Sequence, residues 1–364
     1  MTMQKTKTAL SNLQLEILRD VLMLNQESLH IYCRSFFTPF YGKKNRYEAW
    51  GEGMYFKGDI PVLLVAHMDT VHKVLPTEMT LFHDQEKDVM WCPDGLGADC
   101  RAGVFNIIDI VGKGYKPHIM LTWDEEIGGV GASKLMDRWA SGKGYDSEAV
   151  KQGMSEVNFA VQLDRQGYSE AVYYDLDNPE FEEYISSFGY NTKIGSFTDI
   201  CEICPAFGFA GVNVSAGYVR EHTSTEVLLV EEMLLTQDKV LEILKDQQEN
   251  PKFFKYEELP GGYGSYGSFW RDSSWDSFTD LGGYDPITDL QTSEDACSVC
   301  GSLLDDTNWH KPVKDVYQSD ACYACRVDFW DVDAEVPKEF YNQMMYGYEL
   351  SNTTTGAGKK KNDK

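Results

Sequence analysis

Short, continuous apolar runs recur along the first two thirds of the chain, and segments with helical spacing separate them. The length and continuity of these runs predict strands buried on both faces at 61–66 and 118–123, and further strands are predicted at 157–163 and 208–214. Shorter strands are predicted at 54–57 and 171–174, with a hairpin at 79–91. Apolar residues three and four apart predict helices at 10–29, 101–111, 133–139, 179–188 and 227–246. This alternation predicts an α/β fold in which helices sandwich a mainly parallel sheet.

The pattern changes near residue 250, where the alternation of strands and helices ends. Residues 251–292 are rich in Gly, Ser, Tyr and Asp without clear periodicity, which is typical of a linker. A small cysteine-containing module follows at 293–336, and 337–364 has the composition of a tail. We therefore expect one large domain at 1–250 and a separate small module beyond the linker.

Composition narrows the function classes. The 364 residues carry a formal net charge of −25, and a field of that sign repels nucleic acid and anionic membranes. No apolar stretch reaches the roughly 18 residues of a membrane span, and the N-terminus lacks the apolar core of a signal peptide. Nine cysteines without such a signal argue against a disulfide scaffold. We expect a cytoplasmic protein with no membrane partner and no nucleic-acid partner.

Acidic residues and histidines form five clusters, most of them at the end of an apolar run. In order they contain His67 and Asp69, then Asp99, then Glu125 and Glu126, then Asp164, and finally His222. Two imidazoles and several carboxylates are the ligand set for two zinc-like ions that share one carboxylate, with one glutamate left as a base. Strand ends meet at one edge of a parallel sheet, so the fold and the site agree.

Each cluster taken alone has an ordinary structural interpretation. A single histidine after a strand is more often a core residue, an aspartate near glycine is usually a turn residue, and a Glu-Glu pair is usually solvated. Because all five clusters occur in this order, the sequence favours a metal site instead. Asp94 also precedes a glycine and competes with Asp99 for the bridging position, but the "ADCRAG" context favours Asp99.

The ordered set resembles the di-zinc exopeptidases, namely peptidase T and the wider aminopeptidase and deacylase group. His67 and Asp69 meet the His-x-Asp pattern, "ADCRAG" meets the turn of the bridging aspartate, and "EEIGGVGA" meets the Glu-Glu pattern. Asp164 meets the later aspartate, and His222 with the nearby Glu226 meets the last pattern. The resemblance covers residues 10–247. It departs at Cys100, where relatives carry Asp or Asn, and it leaves no room for the inserted domains of peptidase T or the tetrahedral aminopeptidases.

The resemblance implies roles for these residues. His67, Asp99 and Asp164 would hold one ion, Asp99, Glu126 and His222 would hold the other, and Glu125 would be the general base. Asp69 would be a catalytic residue that orients His67. The implied activity is an aminopeptidase or dipeptidase acting on short peptides. The alternatives are an N-acyl amino acid deacylase with the same centre and an inactive binding protein with a peptidase fold.

Three further residues are candidates for contact with substrate. Arg165 and Arg220 could bind a substrate carboxylate, although ordinary surface ion pairs explain them at least as well. Tyr218 could stabilise the oxyanion of a tetrahedral intermediate.

The C-terminal module carries two C-x-x-C pairs, Cys297 with Cys300 and Cys322 with Cys325. Two such pairs in a short segment predict a zinc ribbon that binds one structural zinc ion. Acidic residues outnumber basic ones around these pairs, which favours a contact with protein over nucleic acid, so a protein partner or a homo-oligomer is expected. The pair Cys201 and Cys204 has no second pair beside it and is interpreted as two buried thiols, with a redox pair as the alternative.

Overall fold

The computed structural model describes residues 10–259 and two short strands, Pro312–Val313 and Ala321–Cys322. Residues 10–259 contain helices and strands in alternation. The helices are α1 (Asn12–Met23), α2 (Gln26–Tyr41), α3 (Ala98–Gly112), α4 (Val130–Trp139), α5 (Ser147–Met154), α6 (Pro179–Ser186), α7 (Ile200–Phe207) and α8 (Val230–Glu249). The strands are β1 (Arg46–Ala49), β2 (Gly53–Phe56), β3 (Ile60–His67), β4 (Phe82–Asp84), β5 (Val89–Trp91), β6 (Pro117–Thr122), β7 (Phe159–Arg165), β8 (Glu170–Val172), β9 (Asn191–Lys193), β10 (Ala210–Ser215), β11 (Tyr218–Val219) and β12 (Val227–Leu229).

The main sheet has the strand order β1-β2-β6-β3-β7-β10-β8-β9. Its four central strands, β6, β3, β7 and β10, run parallel to one another. β1, β2 and β8 join in antiparallel pairings on the two sides of that centre. The predicted α/β fold with a mainly parallel sheet is confirmed.

Helices cover both faces of this sheet, and the alternation of side chains along the central strands explains why. On β3, Val62, Leu64 and Ala66 pack into a core shared with α1, α2, α3 and α8. Leu63 and Val65 point the other way and pack into a second core shared with α4, α5 and α7. Because both faces are buried, the central strands are mostly apolar, most clearly on β3.

A second, smaller sheet has the order β11-β12-β5-β4, and all its pairings are antiparallel. It contains the hairpin predicted at 79–91, with β4 and β5 as its strands. The loop between β11 and β12 comprises residues 220–226 and lies at the carboxyl edge of the main sheet, where it delivers His222 and Glu226.

Two predicted helices differ from the structure. The single helix predicted at 10–29 is wrong, because α1 ends at Met23 and Asn25 caps a second helix, accepting a hydrogen bond from the N–H of Ser28. The closing helix begins at Val230, since Val227–Leu229 pairs with β5 as strand β12.

The packed domain continues beyond residue 250. Phe254 is buried, donates its N–H to the carbonyl of Asn158 and accepts from the N–H of Ala210. Of the predicted C-terminal module, Cys297, Cys300 and Cys325 lie outside the described residues, while Cys322 belongs to the short strand that pairs with Pro312–Val313. Among the described residues, no helix is long and apolar enough to span a bilayer.

Candidate metal centre

Three neighbouring strands of the main sheet end beside one another and carry the first site residues. His67 is the last residue of β3 and pairs in register with Thr122, the last residue of β6. Asp164 lies near the end of β7, on the other side of β3. Glu125 and Glu126 follow β6 in a tight turn. The parallel order of β6, β3 and β7 therefore gathers residues that are far apart in sequence at one edge.

Asp69 organises this edge. One carboxylate oxygen, Oδ1, lies 3.1 Å from His67 Nδ1 and accepts the backbone N–H of Glu125, and Oδ2 accepts the N–H of Glu126. Burial opposes ionisation of Asp69, but His67 and these backbone donors outweigh it and lower its pKa. Asp69 therefore directs Nε2 of His67 toward the other carboxylates and fixes the turn that carries both glutamates.

Asp99 lies between the two histidines. Its Oδ1 is 3.4 Å from His67 Nε2, and its Oδ2 is 3.2 Å from His222 Nε2. Asp99 stands at the start of α3, after a left-handed glycine at Gly97, and its peptide bond to Cys100 is cis. Tyr218 donates its hydroxyl proton to Oδ1 from β11, at 3.0 Å. One carboxylate thus presents one oxygen to each imidazole, which is the arrangement of a bridging ligand.

The two remaining carboxylates each face one histidine. Asp164 Oδ1 lies 3.1 Å from His67 Nε2, while Thr198 donates its hydroxyl to Asp164 Oδ2 at 2.7 Å. Glu126 Oε2 lies 2.8 Å from His222 Nε2. His222 has a left-handed backbone with φ of 60°, which is uncommon for a side chain of this size and is found at functional sites.

The charge of this cluster is not balanced by the histidines. Burial and the neighbouring Asp164 raise the pKa of Glu125 to about 9, and burial and Asp99 raise that of Asp164 to about 6. Hydrogen bonds to Asp99 and Glu126 raise the pKa of His222 to about 11. Although burial opposes it, the charge of Asp164 raises the pKa of His67 well above its usual value. The site holds more carboxylate charge than two imidazoles neutralise, so it favours added cations.

The donor set fits divalent metal ions. His67, Asp99 and Glu126 offer donor atoms that all lie within 4.8 Å of one another, and His67, Cys100 and Asp164 form a second such group. Glu126 Oε1 is buried, and no protein donor in the described structure contacts it. Imidazole nitrogens and carboxylate oxygens suit zinc, cobalt and manganese. Burial raises the pKa of Cys100, whose thiol donates to the carbonyl of Leu163, so its contribution to the second group is a protonated sulfur.

Glu226 fixes the turn that carries Asp99. It is fully buried, and its two oxygens accept the backbone N–H groups of Gly97 at 2.7 Å and Asp99 at 3.0 Å. His72 Nε2 lies 2.9 Å from the same carboxylate. The sequence indicates Glu226 only through the family pattern, in which an acidic residue lies a few positions after the last histidine, here His222.

Arg101 is a second residue that sequence reasoning did not assign to the site. It is only 1% exposed, and its Nη1 donates to the carbonyl of Leu22. Burial lowers its pKa to about 10, while the charges of Asp69 and Glu226 act in the opposite direction. A buried guanidinium therefore offsets part of the negative charge behind the cluster.

The remaining predicted residues lie outside this set of converging ligands or behind it. Asp94 is exposed and belongs to neither donor group, whereas Asp99 lies between the two histidines. Arg165 is half-buried and pairs with Glu170, and Arg220 is exposed in the loop before His222. Tyr218 is buried behind Asp99. The role of Arg165, Tyr218 and Arg220 in binding substrate stays a prediction.

Cys201 and Cys204 lie on α7 and are free thiols. Together with Tyr174 and Tyr256 they line a small cavity that is separate from the acidic cluster. Burial raises the pKa of both thiols, which favours the interpretation as buried structural cysteines.

Comparison with known proteins gives structural matches only. No family model matches the chain, and no curated protein matches it. Among solved structures, a tripeptidase from Staphylococcus aureus is 14% identical, covers 64% of this chain and 97% of its own, and has a TM-score of 0.49. The aminopeptidase PepT from Bacillus cereus is 13% identical with the same coverages and a TM-score of 0.46. An aminopeptidase from the archaeon Desulfurococcus kamchatkensis is 14% identical, covers 64% and 95%, and has a TM-score of 0.45. Identities and TM-scores of this size assign no activity to this chain.

Proposed function

We propose that this protein is a di-metal hydrolase, an aminopeptidase or dipeptidase that cleaves short peptides. The observation that carries the proposal is Asp99, whose two oxygens lie 3.4 and 3.2 Å from the imidazoles of His67 and His222. A buried carboxylate between two histidines, with a further carboxylate beside each, is the donor arrangement of a two-ion centre.

His67, Asp99 and Asp164 would hold one ion, and Asp99, Glu126 and His222 would hold the other. When bound, two divalent cations would polarise the scissile carbonyl and lower the pKa of a water molecule. Asp69 lies against Nδ1 of His67, so Nε2 is the imidazole nitrogen that would hold the ion. Thr198 fixes one oxygen of Asp164 by donating its hydroxyl, so the other oxygen stays directed at the centre.

Glu125 performs the proton transfers in this mechanism. Its backbone is fixed by Asp69, and it lies beside the ligand Glu126 without being part of either donor group. The raised pKa of Glu125 would be lower with cations bound, so its carboxylate would accept a proton from the attacking water and return that proton to the leaving nitrogen. The same steps cleave the amide of an N-acyl amino acid, so the deacylase activity differs only in the group that precedes the carbonyl.

The test compares the Glu125→Gln variant with the wild-type chain, both loaded with zinc or manganese. The amide cannot accept the proton, so turnover of free-amine dipeptides and tripeptides should fall by about 10²–10⁴-fold while both ions stay bound. Metal per chain is measured by elemental analysis. Glu52→Gln serves as a control, since the Glu52 side chain pairs with Arg138 and belongs to neither donor group. Near-normal turnover of Glu125→Gln would remove Glu125 from the mechanism.

The same assays separate the alternatives. Hydrolysis of N-acyl amino acids in preference to free-amine peptides would identify a deacylase, and metal-loaded protein that cleaves neither would be a binding protein. Elemental analysis also tests the proposed ribbon. The full chain should bind about three divalent ions, and a chain with Cys297 and Cys300 replaced by serine should bind about two.

A further inference from the structure

Two large apolar side chains remain exposed beside the acidic cluster. Ile127 directly follows the ligand Glu126 and is 62% exposed. Phe197 directly precedes Thr198, the residue that donates its hydroxyl to Asp164, and is 38% exposed. The chain therefore places each apolar residue next to one that belongs to the centre or contacts it.

Gly129 connects these two residues. A Cβ atom at Gly129 would lie 2.6 Å from Phe197 Cζ, so the ring lies directly on the backbone of this glycine. Gly129 donates its N–H to the carbonyl of Glu125 and has φ of 66°. The ring of Phe197 thus packs on the same turn that carries Glu125, Glu126 and Ile127. A side chain larger than glycine at 129 would displace the ring.

We propose that Phe197 and Ile127 form an apolar subsite that receives the group next to the scissile bond of the substrate. This inference rests on the proposed function. Covering apolar surface that is exposed to water at the edge of a charged centre with an apolar ligand is favourable. An uncharged, bulky group, such as a leucine or phenylalanine side chain or a medium-length acyl chain, is the occupant that fits.

Charge supports the same choice of occupant. The whole chain carries a net charge of −25, which exceeds the charge that two divalent cations would add. An acidic group beside the scissile bond would be repelled by this field. The subsite therefore discriminates against acidic and against small side chains, for two separate physical reasons.

The test is a matrix of variants and substrates measured as kcat/KM on the full, metal-loaded chain. The peptides vary the first and the second residue separately among Ala, Leu, Phe and Glu, and a parallel series of N-acyl amino acids varies acyl length. The wild type should prefer the bulky apolar group by on the order of 10-fold or more, the range that one apolar pocket supplies.

Phe197→Ala should lower kcat/KM for the bulky apolar substrates by about 10-fold and change that for the alanine substrates by less than about 3-fold. Phe197→Leu should restore most of the preference, because it returns apolar surface to the same position. Ile127→Ser should have a smaller effect of the same kind. Phe253→Ala is the matched control, since Phe253 is 57% exposed but adjoins Phe254 at the opposite, amino-terminal edge of the sheet.

The results distinguish failure of the subsite from failure of the proposed function. If the wild type hydrolyses the substrates and Phe197→Ala leaves its preference for bulky apolar groups unchanged at both peptide positions and in the acyl series, the subsite alone is overturned. A uniform loss across all substrates in Phe197→Ala and Ile127→Ser would also overturn it. Absence of hydrolysis throughout the wild-type matrix would overturn the proposed function, and the subsite with it. The substrate series in which Phe197→Ala changes the preference identifies whether the occupant is a side chain or an acyl chain.

Discussion

Two buried clusters in this protein combine histidine with carboxylate, and they differ in how charge is balanced. In the cluster around Glu48, His30 Nε2 lies 2.8 Å from the carboxylate, Arg34 Nη1 lies 3.1 Å from it, and Arg46 is close by. Although burial opposes ionisation of Glu48, His30 and Arg34 lower its pKa to about 2. In the candidate metal centre the pKa values of Glu125 and Asp164 are raised instead, to about 9 and about 6.

The contrast separates a structural role from a chemical one. His30 accepts the indole N–H of Trp123 at Nδ1 and faces Glu48 at Nε2, so every polar atom of its ring has a partner. The carboxylates around Asp99 outnumber the imidazoles, and Glu126 keeps a buried oxygen that no protein donor in the described structure contacts. A buried histidine beside an acid is therefore informative only when the acids exceed the cations and converge.

The largest expected effect comes from removing the bridge. Asp99→Asn removes the charge and one of the two acceptor oxygens of the carboxylate that the two ions would share, so binding of both ions should fail. Turnover should drop by on the order of 10³-fold or more, since bound metal contributes several kcal/mol to the transition state. Metal content and dipeptide hydrolysis measure this. Asp88→Asn is the matched control, because Asp88 is also buried beside a histidine, His83, in the smaller sheet. Equal losses in both variants would contradict a special role for Asp99.

An intermediate effect is expected from Glu226, which holds the Asp99 turn without belonging to either donor group. Glu226→Gln loses the charge that two backbone N–H groups and His72 contact. Metal affinity should fall by about 10–100-fold, the usual cost of losing a residue that orients ligands, with turnover recovering at saturating metal. Metal titration followed by activity measures this. Glu48→Gln, which changes a half-buried carboxylate in the other cluster, should leave metal affinity unchanged.

The smallest effect concerns stability and lies in the Glu48 cluster. The pKa of Glu48 is lowered from 4.5 to about 2 by folding, so the ionised form stabilises the native state. That contribution is present above about pH 4.5 and is lost as the pH falls toward 2, with an upper value of about 3 kcal/mol. Glu48→Gln should lower the free energy of unfolding by about 1–3 kcal/mol at pH 7, with a much smaller difference near pH 2.

Urea denaturation at several pH values measures the Glu48 effect, and dipeptide turnover at neutral pH should be unchanged. A difference between Glu48→Gln and wild type that does not depend on pH would contradict the assigned pKa. A loss of turnover at full folding would show that the two clusters are not independent.

The central strands could be predicted from the sequence because burial on both faces leaves a continuous apolar signature. The run at 61–66 corresponds to β3, Ile60–His67. Helix α7 could not be predicted in the same way, since Pro205 lies inside it. The break between α1 and α2 depends on one cap at Asn25, a local signal that the apolar spacing across 10–29 obscured.

The candidate ligands could be predicted because each stands beside a strand end or a glycine turn. The contacts that hold these ligands in place could not be predicted, because they join segments far apart in the chain. Glu226 accepts from the N–H of Asp99, and Arg101 donates to the carbonyl of Leu22. The family pattern marked Glu226 through its closeness to His222, but neither its contact with the Asp99 turn nor the position of Arg101 leaves a pattern in the surrounding residues, so only the folded arrangement identifies those contacts.

The proposed ligands come from five separate segments, between His67 on β3 and His222 in the loop after β11. During synthesis, the first of them leaves the ribosome long before the last. No partial chain that lacks the loop at 220–226 contains the complete centre, and that loop also brings Glu226 to the Asp99 turn. Binding of the second ion, which would need His222, would therefore follow folding of the whole domain, and the presence of both ions would mark a chain whose domain is completely folded.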